Sequence, residues 1–310
     1  MNTIQKIRKV GLVRSIKLLK DRTLLPLIEP YCLSRWKRYS CKKDFLGINK
    51  PERPVPIIVS LTTFPARING VHFVIETLLT QSMKPDKIIL WLATEQFPNL
   101  EKDLPDDLLR LKKYGLTISW CHDIRSYKKL IPTINEYPDA IIITADDDIY
   151  YHPDMVKRLY KAYEKDSKSI HCHRVTKIYM EDGEFKAAPG GYEIYHHPSF
   201  LHKLTGGSGA CYPPRALYKD ICREDLFMTL APTNDDIWFW IMAVLNGRRC
   251  NVVQHSCTAI CCVGDSQDHS LTSINDNGER LFWKQFESVL KYYPEAVSIL
   301  ENEWKREGAR

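Results

Sequence analysis

The amino-acid sequence predicts an α/β fold: a mostly parallel central sheet with helices on both faces. Three observations predict it. Apolar runs of strand length recur through the first half of the chain, helical periodicities lie between them, and Pro or Gly punctuates the joins. Residues 55–61 (VPIIVSL) form the first run, and Thr62-Thr63-Phe64-Pro65 stops it. Val71, Val74, Ile75, Leu78 and Leu79 then fall at i, i+3, i+4, i+7 and i+8, one face of a helix. Lys84-Pro85-Asp86 breaks that helix, and residues 87–93 (KIILWLA) read as a second buried strand. A helix is expected over 106–114, closed by Gly115 as its C-cap. Residues 116–121 (LTISWC) and 140–145 (AIIITA) are the third and fourth strands, with a short helix around 127–136 between them. Strand and helix alternating in this rhythm require parallel pairing with both faces covered.

Composition narrows the class. Of 310 residues, 44% are hydrophobic and 26% charged, which excludes disordered and collagen-like chains. A chain of this length buries about three quarters of its unfolded surface, so no disulfide or metal staple is required. Ten cysteines are too sparse for a secreted disulfide scaffold and read as reduced thiols of a cytosolic protein. His171-Cys172-His173, His196-His197 and the group His255, Cys257, Cys261 and Cys262 lack the paired spacing of a structural zinc site.

The net charge of +6 is unevenly distributed. Residues 1–43 hold twelve Lys or Arg against Asp21 and Glu29, a local +10 that leaves −4 for the remainder. A mildly acidic body argues against nucleic acid as a partner. In residues 4–20 the apolar positions scatter around the helical wheel, and no apolar run approaches the roughly 20 residues that span a bilayer. Charges also interrupt any signal-peptide core. The segment reads as a basic contact to an anionic membrane surface, the alternative being a solvated extension. Prolines at 51, 54 and 56 mark a linker. The expected organisation is therefore an extension over 1–50, a catalytic domain over 51–295 and a tail over 296–310.

Asp146-Asp147-Asp148 follows the AIIITA strand directly, where open α/β sheets bind ligands. Three adjacent carboxylates repel unless a cation neutralises them, and Mg²⁺ or Mn²⁺ prefers such oxygen ligands, often shared with substrate phosphates. In an extended segment Asp146 and Asp148 point to one side, so they are the expected metal pair, with Asp147 turned away or hydrogen-bonded locally. Gly206-Gly207-Ser208-Gly209 permits close backbone approach to a ligand. Thr233-Asn234-Asp235-Asp236 opens an apolar helix over 237–245; Thr233 and Asp236 have capping-box spacing, a sufficient structural reason for both. Beside Trp238 and Trp240, a paired carboxylate would also rise in pKa toward useful basicity.

Taken in order, VSLTTFPARI (59–68), KPDKIILWLA (84–93), SYKKLIP (126–132), TADDDIYY (144–151), GGSGACYPP (206–214) and TNDDIWF (233–239) resemble bacterial glycosyltransferases of the GT-A type. The likeness is to family 2 and to capsule and lipopolysaccharide enzymes, and spans about 56–277. It implies a GT-A, Rossmann-like domain that takes a sugar from a nucleotide-sugar, with UDP-sugars the commonest donors, to a saccharide or lipid-linked acceptor. The enzyme would be a hexosyl- or N-acetylhexosaminyl-transferase of surface polysaccharide synthesis, cytoplasmic and peripheral on the inner face of the plasma membrane.

The resemblance also implies roles. Asp146 and Asp148 would hold Mn²⁺ or Mg²⁺ and, with Asp147, the diphosphate; Thr62, Arg67, Asp123 and Lys129 would contact the nucleotide. Arg67 equally suits a surface ion pair, Asp123 a helix N-cap, and Lys128 and Lys129 a solvated helix face. Gly206 and Gly207 would border donor sugar and acceptor. Asp236 would be the base of an inverting transfer, with Asp235 positioning the acceptor or exchanging roles with it. His255 or His269 would complete the metal shell. Two rival readings stand beside this one. A sugar nucleotidyltransferase would need a Gly-rich basic loop where this chain has TTFPAR, and a non-catalytic glycan-binding or scaffold protein would have lost the acids that are present here.

Overall fold

The computed structural model describes residues 12–188, 197–253, 261–264 and 281–308, with only the backbone course for 12–22. Its centre is a seven-stranded sheet built from β1 (Ile57–Thr62), β2 (Lys87–Ala93), β3 (Leu116–Cys121), β4 (Ile141–Thr144), β5 (Ile170–Cys172), β9 (Ala210–Tyr212) and β10 (Cys250–Val252), in the order β10-β5-β9-β4-β1-β2-β3. The pairs β1/β2, β1/β4, β2/β3 and β5/β10 are parallel; β9 lies antiparallel between β4 and β5. A small antiparallel sheet of β6 (Val175–Glu181), β7 (Glu184–Ala187) and β8 (His202–Leu204) stands beside it.

The predicted strands are those observed: β1, β2 and β4 are buried on both faces with side chains alternating between two cores, whereas β3 is the edge strand, with only Leu116 buried. Ile58, Ile89, Trp91 and Ile142 enter one core, while Ile57, Val59, Leu61, Ile88, Leu90, Ile141 and Ile143 enter the other. The second core is closed by helices α2 (Val71–Leu79) and α5 (Met155–Lys165), and the first by α6 (Glu224–Leu230), α7 (Asp235–Leu245), α8 (Leu281–Tyr292) and α9 (Pro294–Gly308). Residues 296–308, expected as a tail, belong to α9, whose Ala296 and Leu300 are fully buried.

Three expected elements differ in detail. The helix over 106–114 is a short α-helix, α3 (Asp106–Leu109), continued by a 3₁₀ turn, Arg110–Tyr114. Gly115 ends it at φ 112°, where a Cβ would come within 2.8 Å of Ile48. The helix around 127–136 divides into a 3₁₀ turn, Arg125–Lys129, and α4 (Ile131–Glu136), because Pro132 cannot donate into a preceding helix. The first forty residues contain a long helix, α1 (Leu12–Ser40), with Pro26 and Pro30 inside it. Its inner face uses Ile28, Cys32 and Trp36, which lie beyond the stretch whose apolar pattern is scattered.

One buried carboxylate ties the linker to the sheet. Asp86 accepts the Ile57 N–H at 2.8 Å, the Arg53 N–H at 3.2 Å, Arg53 Nη1 at 2.8 Å and Asn49 Nδ2 at 3.1 Å. Burial pushes its pKa up, but these donors outweigh burial and hold it below the ordinary carboxylate value. A depressed carboxyl pKa stabilises the fold at neutral pH, and that contribution disappears as pH falls through the folded value. Asp86→Ala is expected to cost about 3 kcal/mol at pH 7 in urea unfolding, with the deficit narrowing toward pH 3. A deficit independent of pH would show that the charge is not the cause.

Candidate active site

The site is assembled from the carboxyl ends of β1 and β4, the turn before α4, the Gly loop after β8 and the start of α7. Beyond β1, Thr62 Oγ1 donates to the Trp91 carbonyl at 2.8 Å and is thereby committed to the sheet. Its neighbour Thr63 reaches the acids instead, donating to Asp147 Oδ2 at 2.5 Å. Arg67 follows from the same loop, its Nη1 2.6 Å from Asp147 Oδ1 and 3.1 Å from Asp148 Oδ2. Asp147 is therefore hydrogen-bonded away from Asp146. Burial raises its pKa, and Arg67 and Thr63 work against that rise.

Asp146 lies on the other side of the turn, which corrects the expectation that it shares a side with Asp148: residues 147–148 turn rather than extend, and Asp148 shares Arg67 with Asp147. Its N–H donates to Tyr151 Oη at 2.7 Å, and Tyr151 donates in turn to the Gly207 carbonyl at 3.2 Å. Its Oδ1 is 2.9 Å from Lys129 Nζ, and the same ammonium stands 2.9 Å from Asp235 Oδ2. Lys129 thus joins the acids of β4 to those of α7. Burial acts to discharge it, but Asp146, Asp235 and Asp236 together hold its pKa well above the ordinary lysine value.

The expectation of solvated lysines is corrected here: Lys128 and Lys129 are both buried. With about three residues per 3₁₀ turn, consecutive side chains diverge widely. Ser126 donates to Asp235 Oδ1 at 2.9 Å, Lys128 pairs with Asp123 Oδ1, and Lys129 takes Asp146 and Asp235. Asp123 is further held by Gln96 Nε2 at 2.7 Å and the Arg125 N–H at 2.9 Å. It lies at the rim of the cluster and is joined to it through the 3₁₀ turn.

The capping-box expectation is also corrected. Asn234 is the N-cap of α7, its Oδ1 accepting the Ile237 N–H, while Thr233 is engaged by Gln285 of α8. Asp236 is thereby freed from capping and accepts the Gly206 N–H at 3.1 Å. Its pKa is pushed up to about 6, chiefly by burial and next by Asp235, against Lys203 and Lys129. Trp238 and Trp240 turn into the core, donating to the Ile221 and Phe200 carbonyls. The glycines matter sterically: a Cβ on Gly206 would lie 3.1 Å from Asp236 Oδ1 and 3.2 Å from Lys129 Nζ, and one on Gly207 3.1 Å from Asp146 Oδ2.

Thr63, Ser126 and Lys203 complete the surroundings without having been expected. Lys203 is buried on β8, its pKa lowered by burial against the pull of Asp236. A hydroxyl or amine of this kind leaves no sequence signal until the fold brings it to an acid. His255 and His269 lie outside the described residues. Among the described residues no group of three or more His, Cys, Asp or Glu is arranged to hold a metal. The three acids at the end of β4 supply hard oxygens, Asp146 partly exposed and Asp147 and Asp148 buried against Arg67, a donor set that suits Mg²⁺ or Mn²⁺ when substrate phosphate and water fill the remaining positions.

No protein-family model matches the chain. No curated protein matches it either. Solved structures similar in backbone include the mannosyltransferase PcManGT from Pyrobaculum calidifontis in complex with GDP-Man and Mn²⁺, at 13% identity and TM-score 0.44, covering 90% of this chain and 76% of that one. TarS 1–349 of S. aureus matches at 15% identity and TM-score 0.43, covering 66% and 59%. CMP:2-keto-3-deoxy-manno-octonic acid synthetase complexed with CTP matches at 11% identity and TM-score 0.41, covering 70% and 95%.

Removing the bridging ammonium tests the electrostatics of the cluster. Lys129→Met is expected to lose about 3 kcal/mol of stability at pH 8, since it leaves buried carboxylates unpaired. Without Lys129 the already raised pKa of Asp236 rises further, so the folded protein takes up a proton and recovers stability as pH falls toward 5. Urea unfolding at both pH values measures this, and equal losses at the two would contradict it.

Proposed function

We propose that the protein is a metal-dependent glycosyltransferase, transferring a hexosyl or N-acetylhexosaminyl group from a nucleotide-sugar, in the first instance a UDP-sugar, to a saccharide or lipid-linked acceptor. The observation that carries this reading is the Lys129 bridge, which makes one site of the acids at the end of β4 and those at the start of α7. A diphosphate-linked sugar needs both: cations and hard oxygens for the leaving group, and a carboxylate near neutrality for the acceptor.

In this reading Asp146 and Asp148 hold Mn²⁺ or Mg²⁺, which when bound neutralises the departing nucleoside diphosphate. Arg67 and Lys129 flank the same oxygens, and Asp123 meets the nucleoside from the rim. Asp236 accepts the proton of an acceptor hydroxyl as that oxygen bonds to the anomeric carbon, and the bond from this carbon to the diphosphate breaks in line, inverting the centre. Asp235, held by Ser126 and Lys129, orients the acceptor. Gly206 and Gly207 line the gap between the two acid groups. The basic N-terminal segment suits a peripheral place at an anionic membrane and a role in surface polysaccharide synthesis.

Nucleotide release from UDP-, GDP- and CMP-sugars, with and without Mn²⁺ and with a glycolipid extract as acceptor, tests the reading. One donor should give metal-dependent release. Asp148→Asn should remove metal-dependent donor binding, whereas Asp236→Asn should keep donor affinity and lower kcat by about 10² or more. No release and no nucleotide binding across the panel would sink the proposal.

The pH profile supplies a second check. Because Asp236 must be ionised, kcat/KM should fall about tenfold per unit below an acid limb near 6, where its pKa lies. A limb near 4, the ordinary carboxylate range, would exclude Asp236 as base.

A further inference from the structure

Helix α1 is apolar over a wider arc than the protein covers. Ile28, Cys32 and Trp36 pack inward, and Arg35 Nη2 donates to the Thr80 carbonyl at 2.6 Å, fixing the helix on α2. On the adjoining arc Leu24, Leu27 and Tyr31, spaced i, i+3 and i+7, stand 41%, 62% and 52% exposed. Single exposed apolar residues are ordinary, but three of the six large ones among the described residues fall on this one stripe. Arg38, also exposed, continues it, within about 20° of Tyr31 at 100° per residue.

Cations gather where the stripe ends. Lys37, Lys42 and Lys43 are exposed beside Arg38. Arg35 and Lys42 lie 4.8 and 4.6 Å from the ring of Tyr39, and Lys84 lies 5.6 Å from that of Phe45. Beyond Lys84 a groove of about 570 Å³ is lined by Arg53, Lys157 and Lys161, with Glu164 as its acid. A second copy of the chain would set this positive surface against itself. A negatively charged bilayer matches both the apolar stripe and its basic border.

The helix is also joined to the candidate site. The Leu25 carbonyl receives Cys261 Sγ at 3.9 Å, the Cys261 carbonyl accepts the Tyr150 N–H at 3.0 Å, and the Val263 N–H donates to the Asp148 carbonyl at 2.9 Å. One short segment, 261–263, therefore separates α1 from the acidic turn.

We propose that the face of α1 formed by Leu24, Leu27, Tyr31 and Arg38 docks on an anionic phospholipid bilayer. The helix lies in the interface with its apolar stripe inserted and its cations at the headgroups. Among the described residues no helix is long and apolar enough to cross a membrane. Docking in this way sets the acidic turn close to the lipid surface and selects an acceptor carried in that membrane. The acceptor consequence rests on the glycosyltransferase reading, whereas the docking does not.

The test is co-sedimentation of the full-length protein with vesicles of phosphatidylcholine and phosphatidylglycerol, without any sugar donor. The wild type should pellet with mixed vesicles and remain in solution with phosphatidylcholine alone. The variant Leu24→Ser/Leu27→Ser/Tyr31→Ser should partition about tenfold less while keeping the wild-type thermal transition. Leu27→Ser alone, at the most exposed position, should move binding in the same direction and covers the case of a misfolded triple variant. Unchanged pelleting of the variants, failure of the wild type to pellet, or a wild-type dimer that the triple variant abolishes would each overturn the proposal. Vesicle binding without nucleotide release from any donor would instead remove the glycosyltransferase reading and leave the docking intact.

Discussion

A buried ammonium must be paired, and in this protein the pairing of Lys129 organises the site. A single charge that far from water is tolerated only where carboxylates surround it. Lys129 satisfies that demand with Asp146 from one half of the chain and Asp235 from the other. Each partner is fixed by its own neighbours: Asp146 through Tyr151 to the Gly207 carbonyl, and Asp235 through Ser126. The loop carrying Gly206 and Gly207 closes the circuit, because its backbone touches Asp236 and a side chain there would crowd the lysine.

The sheet supplies the position for that circuit. β1 and β4 are neighbours, parallel and buried on both faces, so the loops after them emerge together at the carboxyl edge. The strand order reverses here, since β1 has β2 on one side and β4 on the other, and open α/β sheets hold their ligands beyond the carboxyl ends at such a switch point. Arg67 arrives from β1, the acids from β4, and the Gly loop leads directly into β9. With the loops this close, short side chains such as Thr63 and Ser126 also reach the acids that Arg67 and Lys129 pair with.

The sequence carried much of this in plain view. Strand β2 is legible to the residue because a doubly buried strand is a continuous apolar run, β3 because Gly115 and the polar His122-Asp123 bound it, and Gly115 is legible as a helix stop because its φ suits glycine. The acids at 146–148 and 235–236 stand out because charge directly after an apolar strand, or opening an apolar helix, has no packing role of its own. The antiparallel insertion of β9 was not legible, since three-residue strands leave no periodicity. Burial of Lys128 and Lys129 was hidden for a different reason: it follows from a 3₁₀ turn and from acids elsewhere in the chain, not from local pattern. Thr63 rather than Thr62, and Asn234 rather than Thr233, illustrate the same limit, for a one-residue choice between similar hydrogen-bonding groups is decided by tertiary geometry. The packing of α1 against the domain escaped because its inner stripe begins at Ile28, beyond the basic stretch that dominates the composition.

The central claim is that the acids of β4 and α7 form one electrically coupled site. The most direct measurement is a carbon NMR titration of the Asp236 carboxyl, alone and with UDP and Mn²⁺ bound. The account predicts an apparent pKa near 6 in the free protein. It further predicts a rise on binding, because a net negative complex beside Lys129 draws away the charge that favours ionised Asp236. A carboxyl that titrates near 4 and ignores the nucleotide would contradict it.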